Sequence, residues 1–184
     1  LLEKYLEGEE LTLEEIRQGL REGMISGRVC PIMCGSATSR IGLDQVLDRM
    51  IRYMPDATKK VMTATDAETG EQRAVHVDKP LTAFVFKTLL DPFAGKQSFV
   101  RIFSGELKEG DRLFDVNQGV EEKWGKMVTL IGKQQIPVSA AKAGDIVVIP
   151  KLPNAKTGDT LTAPEFKVTY DAIRFPQPLY TVAM

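Results

Sequence analysis

The chain has 184 residues, 43% of them hydrophobic, with 24 basic against 25 acidic side chains. That is enough apolar material for a sizeable core and one or two domains. It contains no apolar run long enough to span a bilayer, and its near-neutral balance gives no global field for drawing in nucleic acid, so any such contact needs a local patch.

The acidic opening lacks the basic region of a signal peptide. Cys30, Cys34 and the single histidine, His76, fall short of four soft ligands for a structural zinc. A soluble protein of the reduced cytoplasm is expected, and the missing initiator methionine and abrupt ends read as a piece of a longer chain.

Leu1, Leu2, Tyr5 and Leu6 recur at helical spacing, as do Leu13, Ile16 and Leu20. Thr12 with Glu15 three residues on predicts a capping box, Leu11 and Ile16 a hydrophobic staple, and Gly23 the stop. Seven acids against three bases over residues 1 to 26 make this stretch a solvated or protein-docking face and a poor one for phosphates. Val29 to Cys34 is expected as an edge strand, because Pro31 removes a ladder donor. The small residues Gly35 to Ser39 form a turn, and Leu43, Val46, Leu47, Met50, Ile51 and Met54 line a helix that stops at Pro55. Strand, loop and helix together read as the closing piece of an α/β domain spanning residues 1–55.

Residues 56–79 are polar and read as a linker, with Thr69-Gly70 turning between two extended stretches. Short strand-like runs follow: Leu81 to Lys87, Ser98 to Phe103, Arg112 to Val116, Lys126 to Leu130, Ile136 to Val138 and Ile146 to Ile149. Strands this short, with no helical pattern between them, predict a small closed β-barrel over residues 80–165. The pairs Gly110-Asp111, Gly144-Asp145 and Gly158-Asp159 are expected as turns whose Asp ties the following backbone, and no second titrating group makes them catalytic. Residues 166–184 read as a connection and, at Phe175 to Val182, the first strand of another domain.

Chemistry is sparse. No Gly-x-x-x-x-Gly-Lys-[Ser/Thr] phosphate loop occurs, and Ala94-Gly95-Lys96 is a hairpin loop. Cys34 is expected as a buried, unreactive thiol, His76 as a surface residue, and Cys30 and Cys34 as unbonded to each other.

Six strings, in order and naturally spaced, carry a family resemblance: Leu1 to Gly8, Cys34-Gly35-Ser36-Ala37, Asp91 to Lys96, Ser104 to Leu107 with Gly110-Asp111, Ala143 to Ile146, and Lys156 to Leu161. Together they resemble bacterial elongation factor G over essentially the whole chain. The resemblance implies an α/β remnant, the C-terminal part of a P-loop GTPase domain with the tail of its inserted subdomain. An all-β barrel, domain II of translational GTPases, and the start of domain III would follow. It implies a parent enzyme that hydrolyses GTP with magnesium to move transfer RNA and messenger RNA on the ribosome, and that also recycles ribosomes.

Of the nucleotide motifs, only Cys34, Gly35, Ser36 and Ala37 match, as the guanine loop in which the Ala37 N–H would meet the base oxygen. With the phosphate loop, magnesium residues, switch segments and Asn-Lys-x-Asp motif absent from this sequence, the piece alone is expected neither to hydrolyse nor to bind GTP, and to carry no cofactor or metal. The barrel is expected to touch small-subunit ribosomal RNA through a modest basic patch of Lys96, Arg101, Lys123, Lys126 and Lys133, in a cytoplasmic monomer with no membrane partner. Trp124 reads as a partial core residue, with base stacking as its alternative. Between Val120 and Ala143, and at Lys151 to Asn154, the sequence departs from the housekeeping pattern toward the variant second form. A ribosome-protection or recycling GTPase and a non-enzymatic RNA-binding barrel are therefore the rival readings.

Overall fold

The computed structural model describes residues 2–59, 61–92, 95–132 and 134–177. Contacts divide the chain into Leu1–Asp56 and Ala57–Met184. The first unit holds helices α1 (Leu2–Leu6), α2 (Leu13–Ile25) and α3 (Leu43–Tyr53). The capping box forms as expected: Thr12 Oγ1 accepts the Glu15 amide at 3.3 Å, and Glu15 Oε2 accepts the Thr12 amide at 2.9 Å. Lys4 donates to Glu15 at 2.7 Å. That bond, followed by the one from the Thr12 amide, holds the Glu15 carboxyl down at about 2.

Two readings of this unit are corrected. Helix α2 passes through Gly23 and ends at Ser26, with Gly27 at φ 72° making the left-handed turn. Gly23 instead receives the returning chain, since its carbonyl accepts the Arg28 and Val29 amides, and a Cβ there would lie 2.7 Å from Val29 Cγ2. Val29 to Cys34 forms no strand, since among the described residues no neighbouring strand meets its backbone, and both cysteines are exposed where a buried thiol was expected. Helix α3 does stop where expected, with Met54 extended before Pro55.

The second unit begins with a single 3-10 turn, Ala57–Lys59, and continues in strands. In chain order these are β1 (Met62–Asp66), β2 (Gln72–Val75), β3 (Thr82–Asp91), β4 (Gly95–Ser104), β5 (Glu106–Lys108), β6 (Leu113–Asp115), β7 (Val120–Glu122), β8 (Met127–Ile131), β9 (Gln134–Val138), β10 (Ala140–Lys142), β11 (Ile146–Pro150), β12 (Thr160–Thr162) and β13 (Val168–Thr169). Eight of them form one antiparallel sheet in the order β7-β6-β12-β3-β4-β11-β8-β9, with β5 and β10 paired beside it. The sheet curls around one core in which Val85, Val100, Ile102, Leu107, Leu113, Met127, Ile149 and Leu161 are all fully or almost fully buried. Core residues come from strands on both wings, so side chains complete a barrel whose end strands, β7 and β9, are not ladder partners of each other.

The supposed linker is structured. Strands β1 and β2 form the hairpin that the Thr69-Gly70 turn suggested, and β13 adds to β1 from a hundred residues downstream. This small sheet covers the outer face of β3 and β4. Ala64, Val75, Phe84, Val168 and Tyr170 are buried there, with Phe86, Phe103 and Phe166 against them. Phe103 and Tyr170 meet edge to face with ring centroids 4.7 Å apart, and the Tyr170 hydroxyl shares a 2.7 Å hydrogen bond with Thr82 Oγ1. Strand β3 is therefore buried on both faces over Thr82 to Val85. The expected strand at Phe175 to Val182 lies partly outside the described residues, and residues 175–177 carry no assigned element.

The three Gly-Asp pairs share one construction. In Lys108 to Asp111, Lys142 to Asp145 and Lys156 to Asp159 the glycine sits at φ 94°, 100° and 99°, the Asp amide bonds back to the Lys carbonyl, and the Asp Oδ2 accepts the Lys amide at 2.7 to 2.8 Å. The carboxylate thus ties the preceding backbone, the reverse of the expectation, because a type II turn folds the chain back over the aspartate side chain.

Candidate nucleotide loop and basic surface

The loop from Cys34 to Gly42 is pinched at its base. The Ser36 amide donates to the Ile41 carbonyl at 2.9 Å and the Ile41 amide returns the bond at 3.1 Å. Glycines permit that closeness: a Cβ on Gly35 would stand 2.9 Å from the Ile41 oxygen, and one on Gly42, at φ 80°, equally close to the Cys34 oxygen. Ser36 Oγ accepts the Ser39 amide at 3.2 Å and bonds Thr38 Oγ1 at 3.3 Å, so the tip is internally braced. Ala37 sits on that tip, exposed, and among the described residues nothing accepts its N–H. A braced loop presenting one unused main-chain donor beside small side chains can offer a close, directional bond to a carbonyl oxygen.

Of the five basic residues singled out from the sequence, the four described do not all share one face. Along β4 the even positions Ser98, Val100 and Ile102 point into the barrel, so Lys96 and Arg101 take opposite faces. Lys96 is a structural clamp, its Nζ donating to the Ala155 carbonyl at 2.6 Å. From the other side of the same loop, Glu122 accepts the Asn154 and Ala155 amides. Lys123 and Lys126 are exposed on the β7–β8 connection. Lys133 lies outside the described residues.

Arg101 is the notable case. It is half-buried on the outer face of β4, in a cavity of about 250 Å³ lined also by Ala57, Met62, Phe103 and Gly144, and it makes no ion pair among the described residues. Trp124 donates its indole N–H to the Asp111 carbonyl at 2.7 Å and packs on the barrel core, as the partial-core reading expected. His76 is exposed. Among the described residues no group of three or more His, Cys, Asp or Glu is arranged to hold a metal, and no helix is long and apolar enough to cross a membrane.

A barrel of short antiparallel strands with its outer face partly covered by a side sheet defines, with its sequence, a translation-factor domain: residues 80–164 match the family Elongation factor G domain 2. A crystal structure of a protein from Thermus thermophilus aligns over 97% of this chain with a TM-score of 0.74 and 30% sequence identity, and the chain spans 25% of that protein's length. Residues 80–164 accordingly belong to the elongation factor G domain 2 family.

Proposed function

We propose that this segment serves a ribosomal translocase, a GTPase that couples GTP hydrolysis to movement of transfer RNA and messenger RNA, acting in the cytoplasm as a monomer. The domain match over residues 80–164 supports this reading, and the observation that carries it to a site is the exposed, unpaired Ala37 N–H on its braced loop. The residues present fit the guanine end of GTP only. Cys34 and Gly35 shape the turn, Ser36 braces it and Ala37 donates; the sequence has no phosphate loop, so no hydrolytic step falls to this chain and magnesium is a matter for the rest of the protein. When bound there, GTP supplies the phosphoanhydride whose cleavage drives the cycle. On the barrel, Arg101 is the residue we assign to a phosphate of small-subunit ribosomal RNA, since a half-buried guanidinium without a carboxylate is poised for an anion from outside.

The test uses the longer protein that contains this chain. Ala37→Pro removes the one N–H at issue and is expected to weaken GTP binding by about tenfold, the worth of one hydrogen bond. Arg101→Ala is expected to lower ribosome-stimulated hydrolysis at limiting ribosome while leaving intrinsic nucleotide affinity unchanged. Unaltered GTP binding in Ala37→Pro overturns the guanine assignment, and failure of the longer protein to hydrolyse GTP on ribosomes overturns the function. The 184-residue chain alone is expected to give no micromolar GTP binding by calorimetry.

A further inference from the structure

The helical unit holds a cationic cavity that has no part in that function. Its volume is about 340 Å³, and it is lined by Glu14, Arg17, Gln18 and Arg21 from α2 and by Arg52 and Tyr53 from the last turn of α3. The four α2 positions follow a spacing of three, four and seven, so they share one helix face. The cavity shares no residue with the 34–42 loop.

Residues 1 to 26 are acidic as a sequence, but the fold sorts their charges. Glu15 is held by Lys4 and the Thr12 amide, Glu22 accepts from Gln18 Nε2 at 3.0 Å, and Glu14 pairs with Arg17. Every acid of α2 is thus engaged, while Arg21 and Arg52 have no ion pair or hydrogen-bond partner among the described residues. Asp48, one turn before Arg52 on α3, forms no ion pair with it. Tyr53 is the enclosed part of the lining, only 8% exposed. Its hydroxyl accepts from Arg49 Nη1 at 3.1 Å, which engages Arg49 and leaves the hydroxyl hydrogen as a donor.

Three guanidinia against one carboxylate leave the cavity an excess of positive charge, and the repulsion among them is relieved by an oxyanion. A carboxylate is planar and is satisfied by one guanidinium fork. A phosphoryl group offers three acceptor oxygens and close to two negative charges, which suits guanidinia reaching one cavity from two helices. An extended polyanion such as an RNA strand is repelled by the net negative charge of residues 1 to 26.

We infer that the α2–α3 cavity binds a phosphoryl dianion, free phosphate or the end group of a small phosphomonoester, through Arg17, Arg21 and Arg52. Arg17 gives up the exposed Glu14 to do so, a small loss because surface ion pairs contribute little.

Calorimetry on the longer protein that contains this chain tests the site, with inorganic phosphate and phosphoserine as probes. Ionic strength is held constant, and saturating GDP keeps the probes out of a nucleotide site. Arg21→Gln is expected to weaken binding about tenfold, Arg21→Lys less because it keeps the charge and loses the fork, and Arg21→Gln with Arg52→Gln to abolish it. Arg28→Gln removes the same charge from an exposed position outside the cavity and is expected to change affinity by less than about twofold. Phosphoserine binding is expected to strengthen as pH rises through the second phosphate ionisation near about 6, whereas sulfate binding stays level. Tighter binding of phosphate identifies the free ion as the ligand and tighter binding of phosphoserine a monoester, and either result supports the site. Binding of neither probe overturns the proposal, as do binding that survives the double variant, an equal loss in Arg28→Gln, or succinate binding as tightly as phosphate.

Discussion

The two units of this chain use amphipathic patterning equally well and bury it very differently. In Leu1–Asp56 the helical stripes are regular, yet Leu13, Ile16, Leu20, Leu47, Met50 and Ile51 are exposed and Tyr53 is the buried hydrophobic residue among those described. In Ala57–Met184 strands with weaker patterns enclose two cores. The difference shows that a pattern selects an element and a face, while only a second layer turns that face into stability.

That comparison can be broken most forcefully in the barrel. Leu161→Ala on β12 removes a fully buried side chain at the centre of the sheet and is expected to cost about 3 to 5 kcal/mol in urea unfolding of the intact chain; a cost under about 1 kcal/mol would mean the barrel core is not the stabilising layer.

Next in size is a pair of opposite pH effects. Asp115 has its folded value raised from 3.8 to about 6, so the folded state holds a proton that the unfolded chain has already lost across that window, and barrel stability falls as pH rises through it. Asp115→Asn keeps an oxygen for the Gln118 amide, removes the buried charge, and is expected to stabilise the barrel at neutral pH by about 1 to 2 kcal/mol and flatten that slope. Glu15 runs the other way. Its folded value is lowered from 4.5 to about 2, so its contribution is complete above about 4.5 and is lost as pH falls toward 2. Amide exchange at the start of α2 is expected to quicken in acid while the barrel tightens; the same sign in both units contradicts the assignment.

The smallest effect belongs to Ile51→Ala on α3, where the side chain is 81% exposed: a change within about 0.5 kcal/mol is expected by thermal unfolding.

Where interactions are local, the sequence was readable. The Thr12–Glu15 capping box needs only four residues, the Pro55 stop only two, and the Lys-x-Gly-Asp turns declared themselves through their glycines. Strands β3, β4, β8 and β11 stood out as apolar runs. Strand β12, Thr160-Leu161-Thr162, did not, because two of its three buried side chains are threonines and its place is set by β3 and β6, distant in sequence. The β1–β2 hairpin was visible as two extended stretches about a turn, but its membership in a sheet depended on β13, about a hundred residues away. At the site, the unpaired Ala37 tip was legible through family resemblance and its bracing was not. Lys96 read as surface charge because its partners are backbone carbonyls 57 and 59 positions away, which leave no trace in a charge pattern.

The β3–β4 ribbon is a party wall, with the barrel interior on one side and the Phe84, Phe103 and Tyr170 cluster on the other. Thr82 ties both rooms together, since its hydroxyl bonds Ser104 within the ribbon and Tyr170 beyond it, each at 2.7 Å. Prising the small sheet away would strip one side of that wall and disturb the register that shapes the other. A force applied at residues 168–170 is therefore transmitted to the heart of the neighbouring module through this shared hydroxyl.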